Sequence, residues 1–411
     1  MKVAFTTLGC KLNYAETSTY ERGFVAAGWE VVPWAEKADL YLINTCAVTE
    51  TAEKKSRNLI RRAHKTAPEA RIVVTGCYAE LRKEQIQAID GVWKVFGANE
   101  KSQIVSTLCH SERSEEPATT FGAYSSGGER TRSFLKVQDG CDNFCAYCTV
   151  PYARGRSRSL SIAEAVAHAR EIAASGVKEV VLTGVNTGDF GRTSGESFLD
   201  LLRALNEVEG IERYRISSIE PNLITPEIVD WIASGTKFQR HFHIPLQSGS
   251  DVLLKRVGRR YDTALFASRI DYIRKALERP GEPPVFFGID VIVGLPGETE
   301  ELFQETYCFL RDRIEPAFLH VFPYSRRPGT RAAEWKDQVQ DRIKTERAAR
   351  LEALCKELHS SFVAANKGLR ETVLWESSVK DGQMGGYTGN YIRLERPYDP
   401  SRVNTLEEVV L

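Results

Sequence analysis

The sequence predicts an α/β protein in three parts: an N-terminal parallel-sheet α/β domain, a central open (β/α)6 partial TIM-type barrel and a small C-terminal all-β domain. Three observations predict it. From residue 1 to about 108, apolar β-branched segments alternate with helical ones, the pattern of a parallel sheet. From Phe134, six further strand–helix units follow within about 190 residues, too few for a closed eight-stranded barrel of roughly 250. After Lys367 the segments become short and strand-like around a Gly-rich stretch, as in a small β-barrel module. The 411 residues suffice for two or three domains, with expected limits of 1–108, 134–366 and 367–411. Residues 109–133 are polar and aperiodic and read as a linker or insert.

In the first part, 2–8, 38–44 and 71–75 read as strands, and 15–28, 51–65 and 82–89 as helices. Barrel strands are expected at 134–138, 179–183, 213–219, 241–246, 285–293 and 317–322, with helices at 161–175, 196–207, 225–234, 263–278 and 299–313. Residues 336–366 read as one amphipathic helix, with Val339, Ile343, Leu351, Leu354 and Leu358 on its apolar face. The tail offers strands at 372–375, 391–394 and 408–411 and a turn at 382–389.

Composition narrows the class. Hydrophobic residues make up 42% and charged residues 27%, an ordinary balance for a soluble protein. No apolar run approaches the roughly 20 residues of a membrane span, so no membrane partner is expected. The N-terminus reads as a strand without a signal-peptide core. The nine cysteines are grouped like ligands, not like a disulfide framework, and a cytoplasmic location is the expectation. With 55 basic and 55 acidic residues the net charge is zero, which gives nucleic-acid binding no support from overall balance.

The most specific motif is Cys141-Asp-Asn-Phe-Cys145-Ala-Tyr-Cys148, at the C-terminal end of the first barrel strand, where barrel enzymes keep their active sites. Three thiolates so spaced can hold three irons of a [4Fe–4S] cluster and leave the fourth without a protein ligand, whereas a ferredoxin-type site closes the cluster with a fourth Cys. The competing reading is zinc, which usually takes four ligands in two pairs. Disulfide pairing would leave one thiol over.

Cys10, Cys46 and Cys77 each follow a predicted parallel strand, at spacings of 36 and 31 residues that match successive βα units. Open α/β sheets gather ligand sites outside the carboxyl ends of their strands, so these three loops converge on one spot. A second three-thiolate cluster is the functional reading; three buried packing cysteines are the alternative. Cys109, Cys308 and Cys355 read as non-ligands.

Other strand ends supply candidate binding groups. Gly184 and Asn186 end the second barrel strand, Ser218 and Glu220 the third, and Gln247 and Ser248 the fourth. Ser218 and Glu220 equally suit a turn. Arg154, Arg156 and Arg158, then Lys255, Arg256, Arg259 and Arg260, then Arg326, Arg327 and Arg331 follow barrel strands. They read either as a phosphate-facing substrate rim or as a solvated surface.

CxxxCxxC with Tyr147 before its last Cys resembles the signature of radical S-adenosylmethionine enzymes. With Thr7-Leu-Gly-Cys-Lys-Leu-Asn13, Asn44-Thr-Cys46, Thr75-Gly-Cys77 and the β-rich tail, the chain is similar over nearly its whole length to the methylthiotransferases. The resemblance implies an auxiliary-cluster domain, a radical barrel and a TRAM domain. It also implies two [4Fe–4S] clusters and S-adenosyl-L-methionine as cofactors, with all six cysteines as metal ligands at the catalytic centre. Residues Gly184 and Tyr147 would lie beside the cofactor, and the strand 288–298, through Val291, would cradle its adenine.

The implied reaction has two parts. Sulfur is attached at the cluster of Cys10, Cys46 and Cys77 and methylated, and a radical generated at the cluster of Cys141, Cys145 and Cys148 removes hydrogen from an unactivated carbon. The short motifs most resemble the branch acting on C2 of N6-threonylcarbamoyladenosine beside the tRNA anticodon. The alternatives are isopentenyladenosine in tRNA, a ribosomal-protein aspartate, and a non-catalytic iron–sulfur RNA-binding protein. Implied partners are tRNA, an electron donor such as flavodoxin or ferredoxin, and a sulfur donor. The tail has six basic and seven acidic residues, a departure from a basic RNA-binding module.

Overall fold

The protein is represented by a computed structural model in which residues 1–109, 122–125 and 131–411 are described. Its strands are β1 (Lys2–Thr7), β2 (Glu30–Val31), β3 (Leu40–Thr45), β4 (Arg71–Gly76), β5 (Val92–Val95), β6 (Ala123–Tyr124), β7 (Arg132–Lys136), β8 (Gln138–Asp139), β9 (Arg158–Ser159), β10 (Glu179–Thr183), β11 (Arg213–Ile216), β12 (His241–Gln247), β13 (Phe286–Val293), β14 (Phe318–Pro323), β15 (Arg370–Lys380), β16 (Gln383–Thr388), β17 (Arg393–Pro397) and β18 (Leu406–Val410). The α-helices are α1 (Lys11–Ala26), α2 (Glu50–Thr66), α3 (Cys77–Leu81), α4 (Lys83–Gln87), α5 (Ile104–Cys109), α6 (Val150–Arg154), α7 (Ile162–Ala174), α8 (Phe198–Asn206), α9 (Pro226–Ala233), α10 (Asp251–Val257), α11 (Thr263–Leu277), α12 (Glu300–Cys308) and α13 (Asp341–Ala365).

The first sheet is parallel, in the order β2-β1-β3-β4-β5. Its central strand β3 is buried along its whole length, as a parallel strand covered on both faces must be. Alternate residues pack into two cores: Ile43 and Val74 with Ile60 of α2 on one side, Leu42 and Val73 with Phe24 of α1 on the other. Each long strand ends where a loop or helix bearing a cysteine begins.

The central part is an open arc of parallel strands in the order β7-β10-β11-β12-β13-β14. Single bridges, Tyr214 to Phe238 and Ser218 to His243, join its two halves between β11 and β12. Leu135, Val180, Leu182, Ile244, Ile289 and Val291 form its core with the surrounding helices. The tail is an antiparallel sheet in the order β17-β16-β15-β18. The fold class is the expected one.

Several elements differ from the sequence reading. Helix α1 starts at Lys11, directly after Cys10, because Asn13 and Glu16 find buried polar partners and so do not interrupt it. The Gly-rich segment read as a turn is strand β16. A Cβ on Gly386 would come within 2.5 Å of Val373, so glycine there serves close packing between strands. Helix α13 begins at Asp341, since a 3-10 turn at Arg331–Glu334 and extended backbone at Gln340 precede it. Within 109–133, β6 pairs antiparallel with β7; residues 110–121 and 126–130 lie outside the described residues. Among the described residues no helix is long and apolar enough to cross a membrane.

Candidate active site

A cavity of about 330 Å³ opens at the carboxyl ends of the barrel strands. Cys141, Cys145 and Cys148 line it, with Tyr147, Asn186, Ser218, Glu220 and Gln247. All nine cysteines are free thiols. The loop is held from several sides: the Cys141 amide donates to Gly155 and the Ala146 amide to Val257. Phe144 and Gln247 adopt positive φ of 48° and 69°, a cost that non-glycine residues bear mainly where a site requires it. Donors surround the sulfurs. Arg259 Nη1 lies 3.3 Å from Cys145 Sγ, the Asn143 amide 3.5 Å from Cys141 Sγ and the Val150 amide 3.4 Å from Cys148 Sγ.

Burial pushes the Cys141 thiol up to about 11 and the Cys148 thiol up to about 12. As free thiols they stay protonated at neutral pH, so ionisation there requires a bound cation. Three sulfurs amid N–H donors suit a cluster with one iron left open. Beside them, Glu220 accepts from Asn143 at 2.8 Å and pairs with Arg259 at 2.6 Å, and its amide donates to Asn186 Oδ1. Gln138 Oε1 accepts from the Val185 and Asn186 amides and so fixes that strand end.

The second cysteine set forms as the parallel sheet dictates. Cys10, Cys46 and Cys77 follow β1, β3 and β4 and lie close enough for Cys77 and Cys10 to raise the Cys46 thiol electrostatically. Burial is the larger cause and takes it to about 11. Glycine makes the approach possible. Gly76 has φ of 99°, and a Cβ there would sit 2.3 Å from the Thr45 carbonyl; Gly9 has φ of 104°, and its Cβ would meet Cys46. Arg154 reaches this set, with Nη2 4.0 Å from Cys10 Sγ and bonded to Asn13 Oδ1.

Arg154 belongs to a buried network that joins the N-terminal sheet to the barrel. Glu16 meets Lys101 at 2.7 Å, Lys136 at 2.9 Å and Arg154 at 3.2 Å, while Asp139 meets Lys136, Arg154 and Arg158. Four cations thus face two carboxylates. The positive surplus lies beside the thiols, where thiolate ligands would need compensation.

The first cavity extends to the N-terminal domain beside the second cysteine set. Val48 and Thr49, just after Cys46, wall the cavity that Cys141, Cys145 and Cys148 line, and α3 packs against α6. A second cavity of about 340 Å³ lies on the barrel's inner face, lined by Cys10, Lys11, Tyr14, Arg132, Arg215 and His241 among others. Burial, then the charges of Arg132 and Arg215, pulls Lys11 down to about 8.

The other sequence-derived candidates fall as follows. Gly184 and Val291 do not line the first cavity. Gly184 lies against Gln138, and Val291 alternates away from it into the core between Asp290 and Ile292. Of the rim arginines, Arg156 is open to solvent, whereas Arg154 is buried in the interdomain network. Arg327 is buried against Glu53, Arg259 sits inside the cavity, and Arg158 is held by Asp139. Arg256 pairs with Asp337 and stacks on Trp335. Most of this set is spent on internal pairing, so it does not form a free cationic rim.

Sequence reasoning missed His243, Asp290 and His320, whose ligand atoms lie within 4.8 Å of one another inside the barrel; His243 Nε2 is 2.6 Å from Asp290 Oδ1. The signal was a lone Asp in the apolar strand 286–293 and a His alternating with His241. Glu16, a carboxylate on the buried side of α1, was missed for the same reason.

Comparison with known proteins agrees with this architecture. Residues 2–97 match Uncharacterized protein family UPF0004, and residues 135–310 match the Radical SAM superfamily. The threonylcarbamoyladenosine tRNA methylthiotransferase MtaB of Bacillus subtilis is 40% identical, covering 95% of this chain and 89% of its own length. The MtaB of Aquifex aeolicus is 37% identical, covering 96% and 97%. A tRNA-2-methylthio-N(6)-dimethylallyladenosine synthase of Wolinella succinogenes is 36% identical, covering 96% and 93%. Among solved structures, the radical S-adenosylmethionine methyltransferase TsrM of Kitasatospora setae, with cobalamin and a [4Fe–4S] cluster bound, shares the fold. Its TM-score is 0.57 at 16% identity, over 81% of this chain and 77% of that one.

Proposed function

The chain belongs to the radical S-adenosylmethionine methylthiotransferases, and from that premise we propose that it adds a methylthio group to C2 of N6-threonylcarbamoyladenosine in tRNA. It is a sulfur-group transferase that uses S-adenosyl-L-methionine and [4Fe–4S] clusters. The observation that carries the substrate is full-length similarity, at 37–40% identity, to relatives named for threonylcarbamoyladenosine. The dimethylallyladenosine synthase at 36% makes the isopentenyl-type base the second reading.

The residues support a division of labour. Cys141, Cys145 and Cys148 would hold the cluster that serves S-adenosylmethionine cleavage, and Cys10, Cys46 and Cys77 the one that carries sulfur. When bound, these groups supply a carbon radical and the sulfur to be transferred. The chain's own work is placement. Glu220, fixed by Arg259, Asn143 and Asn186, presents a carboxylate to polar groups of the cofactor, and Gln138 sets the adjacent strand end. Arg259 neutralises charge at Cys145. The cavity wall from Val48 and Thr49 excludes water and brings the sulfur-carrying side within reach of the same base. We place the enzyme in the cytoplasm with its tRNA, and assign a flavodoxin- or ferredoxin-type reductant and a separate sulfur donor to supply what the chain itself does not.

The test is incubation of the reconstituted, reduced protein with S-adenosylmethionine and tRNA bearing threonylcarbamoyladenosine, followed by nucleoside mass analysis. A gain of one methylthio group is expected. Cys145→Ala should abolish 5′-deoxyadenosine formation, and Cys46→Ala should spare it yet stop methylthiolation. Methylthiolation of the isopentenyl substrate alone would move the assignment to the second reading.

A further inference from the structure

Lys11 is the first residue of α1, directly after Cys10, and its side chain projects into the inner-face cavity. Lys11 is exposed, and it lines the cavity. The residues lining that cavity include Lys11, Arg132 and Arg215 and no carboxylate. The other two cations are engaged. Arg215 meets Glu179 at 2.7 Å and donates to the Thr388 and Gly389 carbonyls, and Arg132 meets Glu376 at 2.8 Å.

Lys11 has no ion pair or hydrogen bond among the described residues. Asp290 acts on it electrostatically from outside the cavity lining, and His243 holds that carboxylate at 2.6 Å. His241 and His320 also face Lys11 and add no negative charge. The cavity thus presents a cation with no counter-ion in its lining, and the ligand complementary to it is an anion.

We propose that Lys11 binds the free carboxylate of the threonylcarbamoyl group and so selects this substrate over neutral N6-alkyl adenosines. The inference rests on the substrate reading above and deepens it. Cys10 and Lys11 line the same cavity, so a base presented to the sulfur-carrying cysteines brings its N6 arm beside the ammonium. A neutral isopentenyl arm offers Lys11 no counter-ion and forgoes the charge-assisted contact that the carboxylate makes. Lys11 acts as a specificity residue, separate from the cysteine ligands.

The test uses anticodon stem-loops carrying either N6-threonylcarbamoyladenosine or its threoninamide analogue, in which a neutral amide replaces the carboxylate. Equilibrium binding to the cluster-loaded protein with S-adenosylmethionine present is measured, together with KM. The wild type should prefer the acid by about 10- to 100-fold, the scale of a charge-assisted hydrogen bond. Lys11→Met should bring the ratio near one through the acid's Kd and KM, at unchanged iron content, and Lys11→Arg should restore most of it. If Lys11→Met loads iron poorly, Lys11→Gln serves instead, and the wild-type ratio is decisive by itself.

Equal affinity of the wild type for acid and amide would overturn the proposal. So would equal weakening of both by Lys11→Met, which would mark the anion as a backbone phosphate. Failure of the substrate reading looks different: the wild type would methylthiolate an isopentenyl stem-loop and neither of these.

Discussion

At the scale of single residues, two positions carry more than their size suggests. Gly76 precedes Cys77 at positive φ, with the Thr45 carbonyl 2.3 Å from where a Cβ would stand. Gly76→Ala should therefore separate the Cys46 and Cys77 loops and cost the reconstituted protein about half its iron, while 5′-deoxyadenosine formation persists; iron analysis checks it. Glu16 is the second. Burial by itself raises its pKa, but Lys101, Lys136 and Arg154 overcome it and hold the group well below the ordinary 4.5. A carboxyl depressed in the folded state contributes stability above its unfolded pKa and loses it as pH falls through the folded value. Glu16→Gln should cost roughly 3–5 kcal/mol near neutral pH by stranding buried cations. The gap to wild type should narrow below about pH 4.5. Urea unfolding of the metal-free protein at both pH values reads it, and a gap that stays constant would refute the ion-pair account.

At the scale of elements, local signals set the helices well. Ser161 caps α7: its hydroxyl accepts from the Glu164 amide while the Glu164 carboxylate accepts from the Ser161 amide. Ser161→Ala should cost about 1 kcal/mol and lower the melting temperature by about 1 °C. Glu164→Gln, which keeps an acceptor, should lose less. The sequence misplaced the elements whose pattern was polar or glycine-rich. Asn13 and Glu16 hid the first turn of α1 because their partners, Lys101, Lys136 and Arg154, are remote in sequence. Strand β16 read as a turn because its glycines serve packing between strands, Gly386 against Val373 and Trp375 and Gly385 against Arg393.

At the scale of the whole molecule, arginines tie the parts together. Arg327, at the edge of the first cavity, binds Glu53 of α2 and so joins barrel to N-terminal domain. Arg213 and Arg215 reach from the barrel to the Thr372, Thr388 and Gly389 carbonyls of the tail. Arg215→Met would leave Glu179 buried with only its longer pairings, to Arg213 at 3.7 Å and Arg132 at 3.9 Å. The expected cost is roughly 3–5 kcal/mol, with faster proteolytic release of the segment after Asn366. An unchanged cleavage rate would show that the tail is held by other means.

The sequence by itself determined the chemistry and the plan of this protein. Thiol spacing within one loop is a local property, and strand–helix alternation forces the Cys10, Cys46 and Cys77 loops to one edge of a parallel sheet. Only the tertiary structure decided which charged residues are free to meet a substrate. Arg154 and Arg327 read in the sequence as a substrate rim or a solvated surface and are consumed by Glu16, Asp139 and Glu53. Lys11, one residue in a motif, is the cation of the inner-face cavity that has no ion pair among the described residues. Pairing is non-local: whether a charge is satisfied depends on what the fold brings within a few ångströms, and no spacing along the chain records that.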